Sequence, residues 1–174
     1  MIIKKYELTN ESIVHEGVTL YRIRALKDFG RVKKGDLGGF IEKEANLSHE
    51  GDCWVGGIAK VYNEACVFER ARVGENAQVY DFARVGGRTS VFDRAKVYEF
   101  ANVGGHTYIY GNSQVLGHCA VGGRASVCDY AKLSGFILVY EKATVEGFYH
   151  ASGRKILGGR VCYGGGDIRP FNHY

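Results

Sequence analysis

Residues 79–132, cut into eighteens, read VYDFARVGGRTSVFDRAK, VYEFANVGGHTYIYGNSQ and VLGHCAVGGRASVCDYAK. Inside each block a branched aliphatic residue returns at every sixth position. Followed outward, the series passes through sixteen positions without a slip: Val55, Val61, Val67, Val73, Val79, Val85, Val91, Val97, Val103, Ile109, Val115, Val121, Val127, Leu133, Val139 and Val145. Two residues before each stands a small side chain, such as Cys53, Ala59, Ala71, Thr89, Ser113 or Cys119, with Ile137 the exception. A period of six matches neither the roughly 3.6 of an α-helix nor the alternation of an ordinary strand. It fits a chain that makes a short strand, turns through a third of a circle and repeats. Three hexapeptides then close one triangular coil, and coils stack. The expected fold is all-β, a parallel β-helix of about seven coils and roughly 30–35 Å in height at the usual strand spacing.

The pattern divides the chain into three parts. Residues 1–36 lack it and are expected to cap the first coil, since a bare β-helix end exposes strand edges and apolar side chains. Within them Ile13-Val14 and Val18 to Leu26 flank Glu16-Gly17, which reads as a β-hairpin. Lys27-Asp28-Phe29-Gly30 and Lys33-Lys34-Gly35-Asp36 read as two further turns. Residues 37–163 form the β-helix. Ile41, Ala45 and Leu47 already follow the pattern, and Ser48 to Asp52 holds a two-residue insertion before Val55. Residues 164–174 form a tail whose Phe171 and Tyr174 are placed to fold back onto the last coil.

Composition narrows the class. The chain has 174 residues with 25 glycines and one proline, and 45% of it is hydrophobic. That suits frequent turns around a real core and excludes disorder. A net charge of +4 from 23 basic and 19 acidic residues argues against a dedicated nucleic-acid binder and against a DNA mimic. Five cysteines, an odd number with no Cys-x-x-Cys pair, argue against a disulfide framework. Cys53 and Cys119 occupy the small inward slot and read as space-fillers. The N-terminus lacks the apolar stretch of a signal peptide, and no window approaches a membrane span, so the expected location is cytoplasmic, with no membrane partner.

The eighteen-residue period stacks equivalent positions in columns about 4.8 Å apart. One column is Tyr62, Tyr80, Tyr98. A second is Phe82, Phe100, His118, Phe136. A third is Arg70, Arg88, His106, Arg124, Lys142, with Gly86-Gly87, Gly104-Gly105 and Gly122-Gly123 before its central members.

The unit Val-x-x-x-Ala-x resembles the hexapeptide repeat of left-handed β-helix proteins, a superfamily that includes acyltransferases and the γ-class carbonic anhydrases. The left-handed sense is what this resemblance implies. The stretch Arg22 to Gly30, with Gly35-Asp36-Leu37-Gly38-Gly39-Phe40-Ile41 and Ala45-Asn46-Leu47-Ser48, resembles the opening of a bacterial and phage family whose members carry the label hexapeptide transferase. Together the two features cover nearly the whole chain.

That resemblance raises two catalytic readings. Hexapeptide acyltransferases use a histidine base near a loop that interrupts the coils, with acetyl-CoA or another acyl-CoA as donor. Here no such loop interrupts Val55 to Val145, and His106 and His118 are the only histidines in the regular coils. Either can serve as base if a carboxylate or carbonyl orients it; otherwise His106 fills an arginine position and His118 a phenylalanine position. The carbonic anhydrases hold zinc with histidines two of which lie five apart; here the pair is twelve apart, on different faces, and no metal is expected.

The glycine pairs suggest binding. Gly86, Gly87, Arg88, Gly104, Gly105, His106, Gly122, Gly123 and Arg124 form a bare strip beside a cationic column, suited to a phosphate or carboxylate. The plainer alternative is that glycine serves tight corners and that subunits pack there. The aromatic columns divide the same way, between ligand stacking and simple stabilisation. The expected function is a non-catalytic binding module, a homotrimer with no cofactor. In a phage setting, which the family resemblance implies, it engages a host protein or a small anionic, nucleotide-like ligand at the trimer seam. The alternatives are an acyl-CoA-dependent acyltransferase and a structural, self-assembling protein.

Overall fold

The computed structural model describes residues 3–159 and 161–164. It is a parallel β-helix built of three sheets with nine, seven and six strands, the longest extended by an antiparallel hairpin. The chain visits the sheets in rotation. Val61, Val79, Val97, Val115 and Leu133 lie on a first face; Val67, Val85, Val103, Val121 and Val139 on a second; Val55, Val73, Val91, Ile109, Val127 and Val145 on a third.

Most strands are two residues long, too short to stand alone, and each is held between its neighbours one coil away. Lys96-Val97, for example, pairs with Gln78-Val79 on one side and Gln114-Val115 on the other. The backbone N–H of Tyr98 donates to Val115 at 3.0 Å, and the same step recurs coil after coil. Each aliphatic residue and its small companion point inward, so the core is one continuous stack in which Val61, Val79, Val97 and Val115 are wholly buried. Burying one such side chain contributes about 1.5–3 kcal/mol. Cys53 and Cys119 sit in that stack as expected, and burial pushes both thiols up from their ordinary value. Ile137 fits the small slot because the chain there runs straight as a five-residue strand, Phe136–Tyr140, paired along its length with Arg154–Gly158.

Corners are turned by residues in the left-handed region. Asn63, Asp81 and Glu99 turn the first corner of successive coils at φ near 57°, and Glu69, Gly87, Gly105, Gly123 and Glu141 turn the second. Acidic and amide side chains tolerate this strain by a device visible only in three dimensions. The corner oxygen of one coil accepts the backbone N–H of the corner residue one coil later. Asp81 accepts from Glu99 at 3.2 Å, Asp93 from Gly111 at 2.8 Å and Asp129 from Gly147 at 3.0 Å.

The N-terminal part forms β1 (Tyr6–His15), β2 (Val18–Ala25) and, after the turns, β3 (Leu37–Ile41). Glu16 and Gly17 both have positive φ and close the hairpin at the expected place. The turns after it also form, with Asp28 accepting from Lys34 N–H and Asp36 from Lys33 N–H. The start of β1 and the end of β2 cover the core with Tyr6, Ile23 and Ala25, while the hairpin tip curls outward and packs Leu20 on Phe40 and Tyr62 of the first face. The insertion between Leu47 and Val55 has a definite role. Its carbonyls surround the buried ammonium of Lys5, which donates to Gly51 at 3.2 Å, Cys53 at 2.9 Å and the Cys53 sulfur at 3.1 Å. A single turn of 3-10 helix, Glu44–Asn46, precedes it. Among the described residues no helix is long and apolar enough to cross a membrane. Apart from Gly164, the expected tail with Phe171 and Tyr174 lies outside the described residues.

Candidate functional site

The second face carries a bare strip in its middle, and a shorter one lies at Gly56 and Gly74 of the third face. The outward positions of the second face run Cys66, Arg84, Asn102, Ala120, Leu138 and Ile156 in one column and Phe68, Gly86, Gly104, Gly122, Tyr140 and Gly158 in the next. In the middle lie Asn102, Gly104, Ala120 and Gly122, a floor with almost no side chain. Below it the Phe68 ring covers Gly86, where an added Cβ would come within 2.4 Å of that ring, and Arg84 lies over Phe68 at 5.2 Å. Above it the Tyr140 ring covers Gly158, with Leu138 beside it, half-exposed. One long edge is the stack Phe82, Phe100, His118, Phe136, with centroids 5.1, 4.9 and 4.8 Å apart and rings nearly parallel. These phenylalanines are 53–62% exposed; their faces cover one another along the column, and their edges are open to a partner. The other long edge is Arg88, His106, Arg124, all exposed and held in register by the donation of Arg88 N–H to Gly105 and of His106 N–H to Gly123, each at 2.7 Å. The result is a shallow tray two coils high, about 10 Å, walled on four sides.

The members of each glycine pair differ in role. The second ones, Gly87, Gly105 and Gly123, have φ of 65°, 72° and 68°, and a Cβ there would lie 2.5–2.7 Å from the backbone of the next coil. Corner geometry explains them. Gly104 and Gly122 have ordinary φ, and a Cβ on either would meet nothing within 4 Å. Neither backbone strain nor packing inside the chain calls for glycine at 104 or 122. Gly86, the third of the first members, serves Phe68 instead.

The corner beside the cations lacks the side-chain acceptor over three successive coils, as the other corners do where Gly111, Gly117 and Gly135 turn them. Gly87 N–H is taken by the Glu69 carboxylate. One coil later the amides of Gly105, Gly123 and Glu141 face corner positions occupied by Gly87, Gly105 and Gly123, which have no side chain to accept. Glycine-to-carboxylate replacement would restore the ladder, so its absence leaves three N–H donors next to the basic column, a setting that favours an anion. Among the described residues none of the ion pairs involves Arg70, Arg88, Arg124 or Lys142.

His106 and His118 differ from the placement expected for them. They stand on opposite edges of the same face, His118 where the chain enters it and His106 where it leaves. His118 is stacked between Phe100 and Phe136, and no carboxylate or carbonyl hydrogen-bonds either imidazole among the described residues. A general base needs such an orienting partner. The tyrosine column stacks as expected, with Tyr62, Tyr80 and Tyr98 at 5.1 and 4.8 Å. Its lower end is already occupied, since Tyr62 donates to Glu16 of the hairpin tip and packs on His15.

One grouping has no counterpart in the sequence reading. Cys128, Asp129 and Glu146 bring donor atoms within 4.8 Å of one another on the third face. Asp129 is engaged by Gly147 N–H, and Cys128 shares a hydrogen bond with the Tyr110 hydroxyl, which pushes that hydroxyl up to about 12. No protein-family model matches the chain, and comparison with curated proteins gives no match either.

Proposed function

We propose that the chain is a non-catalytic binding module that takes a small nucleotide-like anion in the tray of the second face, at the seam of a homotrimer. The observation that carries this reading is the bare floor at Gly104 and Gly122, which nothing within the chain requires, set between a wall of rings and a wall of cations. A ring system lies with its face against the outward edges of Phe100, His118 and Phe136 while its phosphate meets Arg88, Arg124 and the free corner amides. The same bare surface lets a second copy approach closely. Cations brought together at such a seam repel unless an anion lies between them. The phage setting implied by the family resemblance makes a host metabolite the natural cargo.

The test uses ADP as probe, with the purified chain's molar mass measured in parallel by light scattering. Gly104→Leu combined with Gly122→Leu should fill the tray and abolish ADP binding while far-UV circular dichroism shows the β-helix of each chain intact. Arg88→Gln with Arg124→Gln should weaken binding on the order of a hundred-fold, the loss of two charge-assisted contacts. A monomer in solution, or full binding in the filled-tray variant, rejects the proposal. Acetyl-CoA stabilising the chain through His106 or His118 would favour an acyltransferase; mass growing without limit would favour a self-assembling structural protein.

A further inference from the structure

The first face carries a second pattern, independent of the tray. Its outward column reads Lys60, Gln78, Lys96, Gln114, Lys132, each paired in register with the next. Cations and amides therefore alternate, and the lysines recur every second coil, about 9–10 Å apart. The corner column beside it alternates in the same phase, with Asn76, Arg94 and Asn112 level with Gln78, Lys96 and Gln114. Rungs of two amides thus flank a rung of two cations. All of these side chains but Lys132 line one groove, and Lys132 follows Gln114 one coil beyond it. Tyr98 donates to Gln114 Oε1 at 3.0 Å and so leaves the NH2 of Gln114 for an outside acceptor. Above Asn112 the wall continues as the stacked, exposed rings of Tyr130 and Phe148, 4.9 Å apart. Among the described residues Arg94, Lys96 and Lys132 form no ion pair, and the nearby Asp93 is already engaged by Gly111 N–H.

We propose that this groove binds a linear polysaccharide bearing one carboxylate on every second sugar, laid along the prism axis. The spacing selects this class. One coil, about 4.8 Å, is close to one sugar of an extended chain, so a charged sugar meets each cation rung and a neutral one each amide rung. A nucleic acid has a phosphate on every unit and would leave half its charges on amides. Same-side residues of an extended peptide recur at about 6.8 Å and fall out of step within two coils. The amides donate to hydroxyl or acetamido oxygens, and the exposed ring edges offer apolar contact for sugar C–H groups.

An end-labelled hyaluronan decasaccharide, titrated by fluorescence polarisation at low salt, tests this. It should bind, with affinity falling as salt rises. Replacing all three lysines, K60Q/K96Q/K132Q, should weaken it about ten-fold, the loss of three exposed charge contacts. Glutamine already stands at positions 78 and 114 of the same column, so the fold tolerates it, and an unchanged melt will verify that. The converse variant, Q78K/Q114K, should gain more affinity for an oligomer with a uronate on every sugar than for hyaluronan. The proposal is overturned if hyaluronan does not bind at low salt or if the lysine variant binds as well as the parent. Single-stranded DNA of equal charge binding as tightly, with the same loss in the variant, overturns it too, because spacing then selects nothing. None of these outcomes depends on the tray, whose residues are untouched.

Discussion

Val97 and Lys96 are neighbours with opposite surroundings, one wholly buried between Val79 and Val115, the other lining an open groove. Val97→Asp places a carboxylate where no donor can reach it and should cost about 3–5 kcal/mol. Lys96→Gln should leave the melt within about 0.5 kcal/mol of the parent. Equal losses in denaturant titrations would reject the inward register. This contrast was legible in the sequence, because a period of six assigns every residue a direction. Lys5 was not. One of two adjacent lysines in an N-terminal segment carries no pattern, and its partners are backbone carbonyls of an insertion 45–48 positions away. Desolvation lowers its pKa, and the nearby thiol and carbonyls keep the ammonium in place.

The aromatic columns and corner ladders are the elements on which the stack's chemistry depends. Burial raises the hydroxyls of Tyr6, Tyr62, Tyr80 and Tyr98 above their ordinary 10.0 and the thiols of Cys53, Cys66, Cys119 and Cys128 above 9.0. For each, the folded chain holds its proton longer than the unfolded one. The stability they contribute is complete below the unfolded values and is lost as pH rises through the folded ones. Lys5 acts in the opposite direction, while the other lowered groups, Asp28, Glu44 and His49, are already deprotonated at alkaline pH. Melts taken from about pH 8 to 11 should therefore fall in temperature once pH passes the ordinary thiol and phenol values. Tyr80→Phe keeps the ring in its stack and removes one proton, so its melts should fall less steeply; an identical slope would rule out the column as a source. The stacks themselves could be read from the eighteen-residue period. The corner ladders could not, although an Asp, Asn or Glu at many corner positions was the available trace, since only geometry shows that each oxygen meets an amide one coil later.

At the scale of the whole molecule, the architecture followed from spacing, while the site depended on a distinction that spacing hides. Gly86, Gly104 and Gly122 each follow a core valine and precede a second glycine, yet one lies under a ring and two lie open. The helical stack also has arithmetic of its own. Because cation and amide rungs alternate, each coil of the first face is either odd or even, and the fold is indifferent to which. Excising one coil, residues 97–114, joins Lys96 to Val115 in perfect register and should leave a folded, slightly less stable chain. It also sets Lys96 directly against Lys132, so parity fails and preference for hyaluronan over a fully charged oligomer should disappear. Excising residues 79–114, two coils, brings Gln78 beside Lys132 and restores parity in a shorter prism. Insertions and deletions of eighteen residues are thus silent for folding and audible for recognition, and a lineage of such chains can change what it reads without changing what it is.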